Sequence, residues 1–160
     1  MTLHTFLFSG ILSLLPISEL RGAIPYALAK GVPWYAAYLF CVALNALIAP
    51  LLFLFLSTLH RLLLKIRVYE KLIGRLIERA RTKIKAKVER FGYWGIMIFV
   101  AIPLPVTGAY TGTLGAWILG LNMKKTILAV AAGVVIAGVI VTVISVFGIQ
   151  AVSFFTKKIG

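Results

Sequence analysis

The chain has no aspartate and only four glutamates, set against 17 lysines and arginines. It has one cysteine and two histidines. These scarcities exclude a good deal. Without aspartate or a Cys/His cluster there is no zinc-site spacing and no Ser-His-Asp set. A GxSxG elbow and a glycine-rich phosphate loop are also missing. The sequence therefore reads as a non-enzyme with no metal and no cofactor. Cys41 lies alone in an apolar run and cannot make an intrachain disulfide. Charge itself is absent from residues 1–18, 31–60, 91–123 and 126–156.

What fills those stretches is apolar. Apolar residues make up 61% of the 160, and mean hydropathy is +1.03. Soluble domains hold roughly 45–50%, and a globule this small could not bury the excess. The composition predicts an all-α integral membrane protein, a single domain over 1–160. The last three charge-free stretches each exceed the ~20 residues that cross a bilayer. The first lacks a basic leader and does not read as a signal peptide.

The stretches differ inside. Residues 33–60 read as one transmembrane helix with Pro50 as a kink point. Residues 124–156 read as a second, with Ala129, Gly133 and Ala137 forming a small-residue stripe that admits a close neighbour. Residues 1–32 and 91–123 are broken. Pro16 splits the first into arms 3–15 and 22–31, with Glu19 and Arg21 between them. Pro103 and Pro105 split the second into 92–102 and 108–121. Such arms are about 15–21 Å long at 1.5 Å per residue, too short for a ~30 Å core. They read as two re-entrant helical hairpins whose breaks are marked by Pro16, Gly22, Pro25, Pro103, Pro105, Gly108 and Gly112. Non-helical backbone is tolerated at that depth only inside protein or beside water.

The halves repeat weakly. Pro16 precedes Gly31 by the same fifteen residues as Pro105 precedes Gly120, which sets Ser18 opposite Thr107. Residues 61–90 hold 11 Lys and Arg against 3 Glu, so the positive-inside rule makes them cytoplasmic. The hairpins then enter from opposite faces, and their tips meet near the midplane. Four plain spans compete with this layout and place Lys124 and Lys125 outside. Residues 61–90 themselves read as a basic amphipathic helix, with Ile66, Tyr69, Ile73, Leu76 and Ala80 on one stripe. It can lie on the anionic inner leaflet, pair with another subunit, or only set topology. Nucleic acid is not expected, since no binding motif accompanies the charge.

Glu19 and Arg21 are the informative pair, because ionisable groups at membrane depth are costly and usually face a cavity or each other. Glu19 is the only carboxylate outside 61–90, which makes it the candidate proton carrier. The alternatives are a structural ion pair or two charges among headgroups. Ser18, Asn45, Thr107, Tyr110 and Thr111 are candidate cavity groups. The helix N-termini near Gly22 and Gly108, with Arg21, would suit an anion such as phosphate or would hold Glu19 itself.

The runs PISELRGAIPYALAKG (Pro16 to Gly31) and IPLPVTGAYTGTLG (Ile102 to Gly115) resemble the two signature loops of the putative small multi-drug export protein family. That family is regarded as distantly akin to the DedA/VTT membrane proteins. Residue by residue, the resemblance marks Pro16, Ser18, Glu19, Arg21, Gly22 and Pro25, then Pro103, Pro105, Thr107, Gly108, Thr111 and Gly112. Val106 stands where glycine is expected, and the second loop lacks the arginines of DedA relatives. The resemblance implies a small transporter in the cytoplasmic membrane of a prokaryote. Proton-coupled export of small amphipathic or cationic compounds is the leading expectation. Flipping of an anionic lipid or lipid-phosphate carrier is the alternative, and a membrane-organising scaffold without transport is the third. So short a protomer offers few cavity walls, so a homo-oligomer is expected.

Overall fold

The computed structural model describes residues 3–64, 92–104 and 107–159, with side chains up to residue 149. Pro105 and almost all of the basic segment 61–90 lie outside the described residues. The described residues form helices and no strand: α1 (Leu3–Leu14), α2 (Glu19–Ala29), α3 (Trp34–Ala46), α4 (Ile48–Leu63), α5 (Gly92–Ala101), α6 (Ala109–Ile118) and α7 (Met123–Ile159).

Only Leu47 separates α3 from α4, and together they make a 30-residue apolar stretch. At 1.5 Å per residue this is about 45 Å, long enough for the ~30 Å hydrocarbon core. Pro50 accounts for the interruption. It has no N–H for the Ala46 carbonyl, and its ring crowds that oxygen. Leu47 N–H donates to Leu44 O instead, at 3.2 Å, and Leu51 N–H resumes the ladder on Leu47 O. The second long apolar stretch is Met123–Ile149 in α7. Asn122 starts α7 as an N-cap: its Oδ1 accepts the N–H groups of Lys124 at 3.0 Å and Lys125 at 3.3 Å.

The remaining helices have 10 to 12 residues, about 15–18 Å each. α1 packs on α2, and α5 lies against α6 where Val100 meets Gly112. The two halves then interlock. α2 packs on α7, the long helix of the second half, while α6 packs on α4, in the first. Both second arms end alike. After α2, Gly31 has φ +79, Val32 N–H donates to Ala27 O, and Gly31 N–H donates to Leu28 O. After α6, Gly120 has φ +71, Leu121 N–H donates to Ala116 O, and Gly120 N–H donates to Trp117 O. Each is a Schellman ending, which glycine favours because it reaches positive φ without a Cβ penalty.

Small residues set the closest approaches. A Cβ on Gly133 would stand 2.7 Å from both Met97 O and Val100 Cβ, so Gly133 of the expected small-residue stripe is where α5 comes in. Beside an apolar core that includes Leu20, Ile24, Val100 and Val130, several polar residues are buried and many large apolar ones are not. Thr5, Ser9, Ser13, Glu19, Asn45, Thr113, Thr126 and Thr142 are buried, while Leu7, Ile17, Leu39, Leu51, Leu128 and Phe147 stand exposed. Large apolar side chains on the outside fit a lipid surround.

Candidate functional site

Two loops meet to build the site. The first is Leu15–Ser18, between α1 and α2, with Pro16 exposed on it. Ser18 and Glu19 N–H groups both donate to Leu15 O, which turns the chain tightly into α2. Helix begins at Glu19 rather than at residue 22, so Glu19 and Arg21 occupy the first turn of α2 instead of the gap before it. Gly22 and Pro25 lie within α2, and Gly112 lies within α6; none of the three marks a break. Pro25 is accommodated because losing its N–H costs one rung, that to the Arg21 carbonyl, in a helix braced by tertiary packing. Gly22 and Gly112 serve packing: a Cβ on Gly22 would strike Ser18 Oγ, and one on Gly112 would lie 2.5 Å from Val100 Cγ2.

Glu19 has φ +45, the one positive φ at a non-glycine among the described residues. That conformation costs of order 1–3 kcal/mol. It accompanies a carboxylate that reaches across to the other half, 8% exposed. There it accepts the backbone N–H groups of Ala109 and Tyr110 at the start of α6, the latter at 3.5 Å. The positive end of the α6 dipole adds to the attraction. Gly108 makes the approach possible, since a Cβ at that position would clash hard with Glu19 Oε2 and fall 2.6 Å from Cδ.

Arg21 points to the same loop. Its Nη2 donates to Thr107 O and, at 3.1 Å, to Thr107 Oγ1. Thr107 ties the loop to itself as well. Its hydroxyl lies 2.6 Å from Ile102 O and 2.8 Å from Leu104 O, and accepts Leu104 N–H at 3.1 Å. Tyr110 closes the circuit, its hydroxyl donating to Leu14 O at the end of α1. The hydrogen bonds of Glu19 and Arg21 thus run to the opposite loop rather than to each other. At the offset that sets Gly31 opposite Gly120, Glu19 stands opposite Gly108 and Ser18 opposite Thr107.

Asn45 joins from α3. It lines a small cleft together with Glu19, Arg21, Pro103, Gly108 and Ala137, which has room for about one water molecule. Its Nδ2 donates to Ser13 O at 2.8 Å, while its Oδ1 has no partner. Thr111 faces its own helix, its hydroxyl 3.4 Å from Gly108 O. Of the expected cavity groups, the fold brings Glu19, Arg21, Ser18, Asn45, Thr107 and Tyr110 together. The sequence reading missed Ser9 and Ser13. Their signal was available: Thr5, Ser9 and Ser13 recur at i, i+4 and i+8 on one face of an apolar helix.

A family model described as putative small multi-drug export protein matches residues 19–140, most of the chain, from Glu19 at the start of α2 through the second loop and into α7. No curated protein and no solved structure matches. With long apolar helices around a buried polar site, the chain is a membrane protein that belongs to the putative small multi-drug export protein family.

Proposed function

We propose that this chain exports small amphipathic or cationic compounds across the cytoplasmic membrane of a prokaryote, with Glu19 as the group that takes up and releases a proton. The observation that carries this reading is the placement of Glu19. The only carboxylate outside 61–90 is buried, held at positive φ, and bonded across the junction of the two halves. A charge-changing group there couples protonation to the contact between halves. Ionised, Glu19 is held by the Ala109 and Tyr110 N–H groups; neutral, it holds them less strongly. Release of that contact is the step that would let the halves move.

In this reading the α1–α2 and α5–α6 pairs are re-entrant hairpins of an inverted repeat. The reciprocal packing of α2 on α7 and α6 on α4, and the matching Schellman endings, support it. Residues 61–90 lie on the anionic inner leaflet, and copies of the chain associate to complete the cavity walls.

Flipping of an anionic lipid-phosphate, the reading a DedA kinship implies, is the second possibility. Arg21 and the α6 N-terminus favour an anion, but Glu19 already occupies those N–H donors, so a phosphate would have to displace it. The test is uptake into proteoliposomes under an imposed proton gradient, with tetraphenylphosphonium as the cation probe and a fluorescent lipid phosphate as the anion probe. Glu19→Gln should abolish gradient-driven cation uptake while the protein still inserts. Wild-type uptake by Glu19→Gln would refute the coupling role. Lipid-phosphate movement alone would select the second reading. Loss of function only when residues 61–90 are neutralised would select a scaffold.

A further inference from the structure

We infer that the inner face of α1 is a hydrated, hydrogen-bonded route by which protons reach Glu19 from the end at which α1 begins. The inference rests on the role proposed for Glu19 and adds the path that serves it. The buried residues of α1 are Thr5, Ser9, Gly10 and Ser13. Each is polar or lacks a side chain, whereas Leu7 and Ile11 on the other side are 59% and 55% exposed. All the hydroxyls of this apolar helix therefore turn inward, in a face that meets Leu44 and Phe40 at Gly10.

The route joins the site through Asn45. The Asn45 side chain, 1% exposed, donates to Ser13 O and lines the same cleft as Glu19. Three oxygens at this junction are buried without a partner: Ser13 Oγ, Ser18 Oγ and Asn45 Oδ1. Buried polar atoms are nearly always bonded to protein or water, and this cleft has room for about one water. Water there would satisfy Asn45 Oδ1 and bridge Asn45 to Glu19, with Ser13 joined through its carbonyl bond to Asn45. Ser9 Oγ, one turn earlier, donates to Thr5 O at 2.7 Å and keeps its lone pairs for an incoming O–H. The titratable groups around this junction are Glu19, Arg21 and Tyr110 at the loops and Cys41, whose thiol neighbours Ser13.

Transfer along such a file balances without a co-reactant. At each hop one O–H bond forms on the next oxygen as another breaks ahead of it. The sum is one proton removed from the medium and one added to the Glu19 carboxylate, with the gradient as the source.

Hydration is read directly by thiol chemistry, because the thiolate is the reactive form and a thiol buried in apolar surroundings does not ionise. Single cysteines are placed by Ser9→Cys, Ser13→Cys, Leu7→Cys and Ile11→Cys in a Cys41→Ala background and reconstituted. With 2-aminoethyl methanethiosulfonate, the Ser9 and Ser13 variants should react about tenfold or more faster than the Leu7 and Ile11 variants. Equal rates at all four positions would overturn the route. In transport, Ser13→Val should reduce tetraphenylphosphonium uptake about tenfold, and Ser13→Thr, which restores a hydroxyl, should recover it. If Glu19→Gln is inactive while Ser13→Val transports as wild type, the route fails and the role of Glu19 stands. If Glu19→Gln transports normally, the role of Glu19 fails, and the labelling rates alone decide whether the α1 face is wet.

Discussion

Gly108→Ala adds one methyl group at the tightest point between the two halves. Its Cβ would clash hard with Glu19 Oε2 and lie 2.6 Å from Cδ and Oε1. The carboxylate cannot swing into solvent, because Glu19 is buried in the junction. It must retreat from the start of α6 and lose its hold on the Ala109 and Tyr110 N–H groups. A hydrogen bond to a charged group is worth about 1.5–3 kcal/mol, and overpacking alone costs about 1–3 kcal/mol. The expected loss is about 3 kcal/mol, roughly a hundredfold in the folded-to-unfolded ratio. The assay is equilibrium unfolding in mixed micelles, followed by helical signal. Gly95→Ala is the control. Nothing lies within 4 Å of its Cβ, and alanine in that helix interior should stabilise by about 0.5–1 kcal/mol. A double-mutant cycle with Glu19→Ala isolates the cause: with no carboxylate to displace, Gly108→Ala should cost about 1–3 kcal/mol less than in the wild type. Refutation would be a Gly108→Ala variant as stable as Gly95→Ala, or a cost unchanged in the Glu19→Ala background.

Gly133→Ala should destabilise by about 1–3 kcal/mol, since its Cβ would press on the Met97 carbonyl, which is backbone and cannot turn aside; Gly148→Ala, with open space around it, should be neutral in the same unfolding assay. Asn122→Ala removes the cap of α7 and should cost about 0.5–2 kcal/mol, read in the same assay and as faster amide exchange at Lys124 and Lys125. In the hairpin topology, single cysteines at Lys124 and Gly160, with Cys41 removed, should be labelled from the cytoplasmic and the external face respectively. External labelling at 124 with protection at 160 would establish four plain spans instead.

Composition and the spacing of charge were enough to read a helical membrane protein from the sequence. Charge-free length is what a bilayer selects for, and it is a local property of the chain. The apolar stretches read at 33–60 and 124–156 were therefore legible before any packing was known, and they overlap the long apolar helices Trp34–Leu63 and Met123–Ile149. So were the short arms, because proline acts on its own and neighbouring residues. Pro25 was misread for the same reason: a local rule marks it as a breaker, and only tertiary packing holds α2 together around it. The αL glycines Gly31 and Gly120 were visible as a spacing, though not as paired Schellman endings. What only the tertiary structure decided is the pairing between halves. Nothing near Glu19 in sequence indicates that its carboxylate rests on Gly108, or that Arg21 bonds to Thr107 rather than to Glu19. Nor does it indicate that Asn45 bridges to Ser13. These contacts join residues 32 to 89 positions apart, and the loops that make them come together only when α2 packs on α7 and α6 on α4. A hydrogen bond across such a span depends on where two helices dock, and docking depends on every small residue along their seams.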